Sequence, residues 1–470
     1  MSVEGAAIPF EPPRPPVLAE PSNIFRVLAH LGRLRRGELD IVSVWPEWGF
    51  TAKFRKVHML RRWLFIAISP DAVRHVLIDN AANYPKSELM ERALRELVGH
   101  GMFINNGPDW AWRRELAQAA FTGAHLPALA DVVPGVAAEI VARWETLPDG
   151  SVVDITAEMT AATAEVVCRG LFSVALGPRR ARELALAFTA YQDEAGHLDL
   201  GFMLRLPLWA RRPAPRARAA ARRIHAVLES VIAERASVHP ERRDYFDLLR
   251  EGKDALRDAP LTAAQIRDEA AVMLLAGHET SASALSWAFY LLSQSPDVEA
   301  RLVDEIADQV GGRAPLRPDL PKLRYAEAVM AETLRLYPPV AVLPREAIAE
   351  DTIRDQRIPA HSAILVPTWL IHRHADHWRQ PHAFRPERFL DPAERPASRF
   401  AYLPFGVGPR TCLGASLAMM EATLFLTTLS RRFRFALPEG EIVTAVCQLT
   451  TRPKGGLRLR ISRRGPVPAP

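Results

Sequence analysis

The segment Phe405-Gly406-Val407-Gly408-Pro409-Arg410-Thr411-Cys412-Leu413-Gly414 runs directly into an apolar helical pattern over residues 415–432. Glycines at 406, 408 and 414 permit a tight loop whose backbone N–H groups turn inward. Cys412 stands just before a helix N-terminus, where the dipole and unpaired amides lower a thiol pKa and favour the thiolate. A thiolate flanked by glycines can reach a flat, bulky partner without side-chain collision, and Arg410 adds positive charge beside it. The chain has only two other cysteines, Cys168 and Cys447, which read as buried inert thiols. Three cysteines are too few for a disulfide scaffold or a four-cysteine zinc site. The chemistry of Cys412 is therefore that of a lone thiol or a single ligand.

Upstream of this loop, residues 262–293 read as one helix of about 48 Å. Its middle, Val272-Met273-Leu274-Leu275-Ala276-Gly277-His278-Glu279-Thr280, is apolar on nearly every side, which predicts burial all round. A His-Glu-Thr triplet at the midpoint makes a transmembrane reading expensive. Gly277 weakens a helix by about 1 kcal/mol relative to Ala and lets something approach the backbone closely. The Thr280 hydroxyl can bond back to the Ala276 carbonyl and open the helix locally. An acid and an alcohol here are either a satisfied polar patch in a core or groups presented to a small polar ligand in a dry cavity. Between helix and loop lies Glu332-Thr333-Leu334-Arg335, in a helix ending at Tyr337-Pro338-Pro339. Its Glu and Arg, three residues apart, share one face and can pair.

The chain around these elements has 470 residues, 48% apolar and 24% charged, enough to bury a large core and unlike a disordered protein. The net charge is +6, but arginines and acids are interspersed without a long basic tract. That describes a mixed-charge surface rather than a nucleic-acid footprint. Residues 1–21 contain Pro9, Pro12, Pro13, Pro15, Pro16 and Pro21, a helix-hostile lead-in rather than a signal peptide. No stretch of about twenty apolar residues follows near the start, so a soluble, cytoplasmic protein without a membrane anchor is expected. Ser22 can cap a short helix to about Arg36, and extended segments are predicted over 40–44 and 63–68. Helical patterning then dominates to about residue 350, including 72–79, 110–119, 127–144, 155–170, 180–191 and 217–237. Past residue 340 come short strands and proline-rich loops, and 449–462 reads as strands around a Lys454–Gly456 turn. Strands drawn from both ends need each other to form a sheet. The prediction is one interlocked domain over 22–462, mainly α with a small β-sheet lobe, and a tail over 463–470.

Taken together, these elements resemble the cytochrome P450 family of haem-thiolate monooxygenases. The loop from Phe405 to Gly414 matches the family's F-G-x-G-x-R-x-C-x-G at every defined position. Ala276-Gly-His-Glu-Thr280, followed by Ser281, matches its oxygen-activation motif on the long central helix. Glu332 and Arg335 match its E-x-x-R, and Phe384-Arg-Pro-Glu-Arg-Phe389 matches its segment before the cysteine. Trp110 and Arg114 match the W-x-x-x-R of an early helix. The five occur in the family's order, and the resemblance spans about residues 22–460. His374–Ala375, where Asp-Pro is frequent, and Ala119, where proline is common, are departures that bear on local loop shape.

The resemblance implies a P450-like fold with haem b between the long central helix and the cysteine loop. Cys412 would be the axial thiolate on iron. Thr280 would hydrogen-bond dioxygen there and help deliver protons, fed by Glu279. Ala276 and Gly277 would lie over the distal haem face, and Phe405 would pack near the thiolate. Trp110, Arg114, Arg345 and Arg410 match positions that surround the haem propionates. Glu332, Arg335 and Arg388 match a buried structural charge network. The implied substrate pocket comprises Val98, Met102, Phe103, Phe202, Met203, Leu275, Val340, Val342 and Leu449, with Ala276. Its apolar lining favours a fatty acid, terpenoid or steroid, and Arg205, Arg211 and Arg212 could hold a carboxylate at its mouth.

The implied reaction inserts one oxygen atom from O2 into such a substrate. With no flavin or iron–sulfur module in the sequence, electrons are expected from a separate ferredoxin or flavodoxin with its reductase, so that NAD(P)H acts only indirectly. Such carriers are typically acidic, and Arg113 is expected in the docking face. The protein is expected to act as a monomer, with no nucleic-acid partner. The alternatives are a peroxide-using peroxygenase or haem-thiolate isomerase, and a non-catalytic haem sensor. None of these requires the Glu279–Thr280 pair.

Overall fold

Sequence from both halves of the chain meets in the main sheet. In the computed structural model, which describes residues 8–15, 40–123, 125–195, 200–210, 214–238 and 243–465, strands β1 (Phe54–Met59) and β2 (Arg62–Ala67) form an antiparallel hairpin. From further along the chain come β4 (Leu343–Glu346) and β5 (Ala363–Val366). β2 pairs in parallel with β5, Leu64 opposite Ala363, and β5 pairs antiparallel with β4, giving the order β1-β2-β5-β4. β2 is buried at five of its six positions, as befits a central strand covered on both faces. A second sheet joins β3 (Val152–Asp154), β6 (Phe433–Ala436) and β9 (Arg458–Arg463). β7 (Ala445–Cys447) and β8 (Thr451–Pro453) pair with each other. The strands predicted within 449–462 therefore form, but they join different sheets. Gly455 and Gly456, at φ 78° and 87°, carry the chain between them.

Helices make up most of the remainder. The longer ones are α1 (Glu88–Val98), α2 (Gly107–Ala119), α3 (Val133–Glu145), α4 (Ile155–Phe172), α5 (Gly177–Ala195) and α6 (Pro215–Ser237). They continue with α7 (Ala263–Ser293), α8 (Pro296–Val310), α9 (Arg324–Leu336) and α10 (Ala415–Arg432). The mainly helical architecture with a small sheet lobe is as expected. α7 begins at a reciprocal cap, in which Thr262 Oγ1 accepts from Gln265 N and Gln265 Oε1 accepts from Thr262 N. The stretch predicted as one helix over 127–144 is two, His125–Ala130 and α3. Pro134 cannot donate to the carbonyl that a continuous helix would offer it, and it starts a new first turn instead. Residues 40–44 form a turn rather than a strand. There Asp40 Oδ1 accepts from Val42 N (2.9 Å) and Ser43 N (3.0 Å), a local bonding that competes with strand pairing. The helix predicted after Ser22 lies outside the described residues.

Two apolar cores divide α7 between them. Ala270–Leu275 pack with α1, α2, α5 and α6, whereas Ala282–Leu292 pack with α3, α9, α10 and the sheets. At the second of these, Trp287 stacks on Tyr337, just past the end of α9, at 3.7 Å and 2°. Residues 276–281 lie at the seam. Among the described residues, the stretch 125–145 is long and apolar enough to cross a membrane by length and composition. It carries Glu139 and Glu145, ion-paired to Arg169 and Arg432, and it packs Trp144 edge-on against Phe433.

Candidate active site

From Asp268 to Leu292 every residue of α7 is buried except Ala276, Gly277 and Thr280. The expected burial all round is thus broken at one turn, where residues four apart share a face. Thr280 Oγ1 donates to the Ala276 carbonyl at 2.7 Å, the back-bond anticipated from sequence. Gly277 also has a packing role that the sequence did not show. A Cβ there would lie 2.6 Å from Val167 Cγ2 on α4, so helix packing by itself already requires the missing side chain. Glu279 is buried, and its Oε1 accepts from Gln192 Nε2 (2.6 Å) and Thr450 Oγ1 (2.7 Å). Beside it, His278 is pushed below the ordinary histidine range by burial, with Nδ1 2.6 Å from the Leu274 carbonyl. Ser281 Oγ donates to Glu421 Oε2 on α10 at 2.9 Å, linking this turn to the helix that follows Cys412. Burial pushes Glu421 up to about 8.

The cysteine loop is shaped by hydrogen bonds and one close approach. Cys412 N donates to the Phe405 carbonyl at 2.9 Å, closing the loop on itself. Gly408 sits at φ 79°, and a Cβ there would collide with the Leu77 carbonyl, so only glycine fits. Gly406, at φ 68°, meets no neighbour, and Gly414 would touch only Phe121. Cys412 is exposed, in contrast to the buried Cys168 and Cys447, whose thiols are both pushed up to about 12 by burial. The expected lowering of the Cys412 thiol is overturned. The surrounding protein raises it, against opposition from the Gly414 N–H and the Arg114 charge. The Gly414 N–H and the Arg114 guanidinium offset only part of that desolvation.

Four cations converge beside this loop. Lys86 and Arg345 face each other in a backbone bridge, Arg410 donates to Asn106 Oδ1 (2.8 Å), and Lys86 N donates to the same oxygen (3.0 Å). Arg114 donates to the Thr411 carbonyl at 2.7 Å. The Trp110 ring carries Arg410 at 4.6 Å and Arg114 at 5.8 Å from its centroid. Among the described residues none of the four cations forms an ion pair. Burial, followed by the neighbouring guanidiniums, pushes Lys86 down to about 6, and the same causes bring Arg345 to about 10. A cation cluster that suppresses its own charge suits anions, and the two carboxylates of haem satisfy that demand. The residues present therefore fit the group. Lys86 was missed by sequence reasoning, because a lysine between Pro85 and Ser87 carries no motif.

The charge network is fully buried. Glu332 accepts two bonds from Arg335 (2.7 and 2.8 Å), one from Arg388 Nε (3.1 Å) and one from Arg385 N (2.9 Å). Arg335 also donates to the carbonyls of His372, Pro381 and Ala383, so its donors have acceptors on every side.

Of the pocket candidates, Val98, Met102, Phe103, Leu275 and Leu449 belong to one cluster, which Leu413 also joins. Phe202 and Met203 do not. They sit in a separate cluster on the sheet with Leu64 and Ala363, and Arg62 lies 3.9 Å over the Phe202 ring. Val342 packs against the sheet-side core, and Val340 is 37% exposed. Arg205 is exposed at a loop tip, while Arg211 and Arg212 lie outside the described residues. The docking role expected of Arg113 is overturned as well. Arg113 is buried, bonded to Glu269 (2.7 Å) and Asp109 (3.1 Å), and faces no partner. Glu269 Oε1 also accepts from Met102 N (3.0 Å) and Asp268 Oδ2 from His100 N (2.8 Å), so α7 holds the loop that leads from α1 to α2.

Comparison with known proteins places the chain. Residues 50–459 match the family model "Cytochrome P450". Cyclooctatin synthase of Streptomyces melanosporofaciens is 31% identical, over 86% of this chain and 87% of its own. Cyclooctat-9-en-7-ol 5-monooxygenase of the same organism is 30% identical, over 90% of each chain. Pentalenene oxygenase of Streptomyces avermitilis is 28% identical, over 94% and 96%. A family match covering most of the chain, with relatives at 30% identity and above along most of both lengths, shows that the chain belongs to the cytochrome P450 family of haem-dependent monooxygenases.

Proposed function

We propose that this enzyme inserts one oxygen atom from O2 into a hydrophobic small molecule of the terpenoid class, with electrons from a separate ferredoxin or flavodoxin and its reductase. The observation that carries the reading is the accessible turn in the otherwise buried middle of α7, where Thr280 is open and the adjacent Glu279 is clamped. Haem b, held by Cys412 and by Lys86, Arg114, Arg345 and Arg410, supplies the oxygen-activating redox chemistry when bound. The chain's own side chains supply position and protons. With its proton on the Ala276 carbonyl, the Thr280 oxygen accepts from a donor in the pocket, or turns that proton toward an acceptor there. Glu279 is the acid behind it, and the apolar cluster of Val98, Met102, Phe103, Leu275 and Leu449 keeps bulk water away. An enzyme fed directly with peroxide would gain nothing from a buried, doubly bonded carboxyl at this place.

The apolar lining supports a hydrophobic substrate. The relatives named for pentalenene and cyclooctat-9-en-7-ol favour a terpenoid over a fatty acid or steroid. The net charge of +6 supports an acidic electron carrier. A cytoplasmic monomer completes this reading. Thr280→Ala tests it. Product per electron should fall about tenfold, with the balance appearing as peroxide. Cys412→Ala should abolish the thiolate signature of the reduced, carbon monoxide-bound spectrum. Parental product yield in Thr280→Ala would overturn the assignment.

A further inference from the structure

We infer that Gln192 and Thr450 are positioning residues for Glu279, fixing one carboxyl oxygen so that the other is the atom that exchanges protons. The inference rests on the reading of Glu279 as the proton-delivering acid. All three side chains are nearly or wholly buried, and they come from three separate elements: α5, the turn before β8, and α7. Gln192 Nε2 and Thr450 Oγ1 both lie on Oε1, at 2.6 and 2.7 Å. No bond falls on Oε2 among the described residues, and that oxygen is not among the buried orphaned atoms. The carboxyl is therefore asymmetric, with one oxygen anchored and one free.

Thr450 makes the arrangement serviceable in both protonation states. Its hydroxyl has a single proton and two acceptors in reach, Glu279 Oε1 at 2.7 Å and Gln192 Oε1 at 3.2 Å. With Glu279 ionised, the shorter, charge-assisted bond takes the proton, and Oε1 receives both donors. With Oε2 protonated, the hydroxyl can swing to the Gln192 carbonyl. Glu279 Oε1 keeps at least one donor in both states, the Gln192 carbonyl going without the hydroxyl only while Glu279 is ionised, and neither donor carries a charge. The proton thus enters and leaves at Oε2 while the other three polar atoms only trade hydrogen bonds.

A second contact holds the two supporting elements together. Arg452, two residues beyond Thr450, pairs with Asp193, next to Gln192, at 2.7 Å, and also bonds Gln448. Closure of α5 against the turn before β8 is then what sets the acid in place. Leu449, in the apolar cluster of the pocket candidates, adjoins this latch directly.

The test uses Gln192→Met and Thr450→Val in the holoenzyme, both close in shape to the parent residues. Each should slow proton-dependent turnover about tenfold, the loss of one hydrogen bond to a charged group, and raise the peroxide share. Thr450→Ser, which keeps the hydroxyl, should restore most of the coupling lost in Thr450→Val. Independently of activity, the infrared carboxyl band that Glu279→Gln removes should shift in frequency in both variants. Parental coupling in Glu279→Gln would overturn the reading of Glu279 itself. Uncoupling in Glu279→Gln, with coupling and band position unchanged in Gln192→Met and Thr450→Val, would overturn the inference and leave that reading standing.

Discussion

Replacing Gly277 by alanine sets two effects of known size against each other. Alanine stabilises a helix interior by about 1 kcal/mol relative to glycine. Its Cβ, however, would lie 2.6 Å from Val167 Cγ2, about 1 Å inside ordinary carbon–carbon contact. Val167 is buried on α4 and β-branched, so its methyl group cannot rotate aside cheaply. Overpacking of this kind costs about 1–3 kcal/mol, and Gly277→Ala should therefore be destabilising by about 1 kcal/mol net. In a Val167→Ala background the colliding methyl is gone, and the same substitution should become stabilising by the helix term alone. The sign reversal corresponds to a coupling of about 2 kcal/mol, well above the error of a double-mutant cycle. Urea unfolding of the four proteins measures it. If Gly277→Ala has the same effect in both backgrounds, within about 0.5 kcal/mol, helix packing is not why this glycine is here.

Three further outcomes are expected. Glu332→Gln leaves two fully buried guanidiniums without an anion and should cost about 3–5 kcal/mol in urea unfolding; a loss under about 1 kcal/mol would mean that the carbonyl acceptors suffice. Glu421, held at about 8 against 4.5 when unfolded, binds its proton more tightly in the folded state, so its contribution to stability is complete below pH 4.5 and declines as pH rises to about 8. The ceiling on that loss is about 5 kcal/mol. Glu421→Gln should flatten the stability–pH curve across this window, and an unchanged slope would contradict the burial argument. Lys86, at about 6 in the haem-free protein, should take up a proton when propionates arrive. Haem binding near pH 7.5 in buffers of different ionisation enthalpy should reveal that proton, and Lys86→Met should abolish it.

What could be seen in advance follows the range of the interactions concerned. The bounds of α7 and α10 were legible because caps, periodicity and glycines act within a few residues of the positions they govern. The break before α3 was equally local, and Pro134 announced it, yet the apolar run on either side carried the reading past it. The partner of Gly277 was not legible, since Val167 is on another helix and nothing in either sequence names the other. The same holds for Lys86, whose meaning lies in Arg345 and Arg410, and for Gln192 and Thr450, which meet Glu279 only once α5 and the turn before β8 have packed. Arg113 shows the opposite error. An arginine beside a motif reads as surface charge until the fold puts Glu269 and Asp109 against it.

The seam in α7 has a consequence for redesign. Val98, Met102, Leu275 and Leu449 all belong to one of the two cores that share this helix, whereas Phe405 and Val407 of the cysteine loop rest on the other. Substitutions that reshape the first should add to changes in the second within about 0.3–0.5 kcal/mol where no side chain is shared. Specificity can then be evolved on one side of a common beam while the Phe405 end of the cysteine loop, across the seam, bears its load unchanged, provided that Leu413, which shares the pocket's core, is left alone.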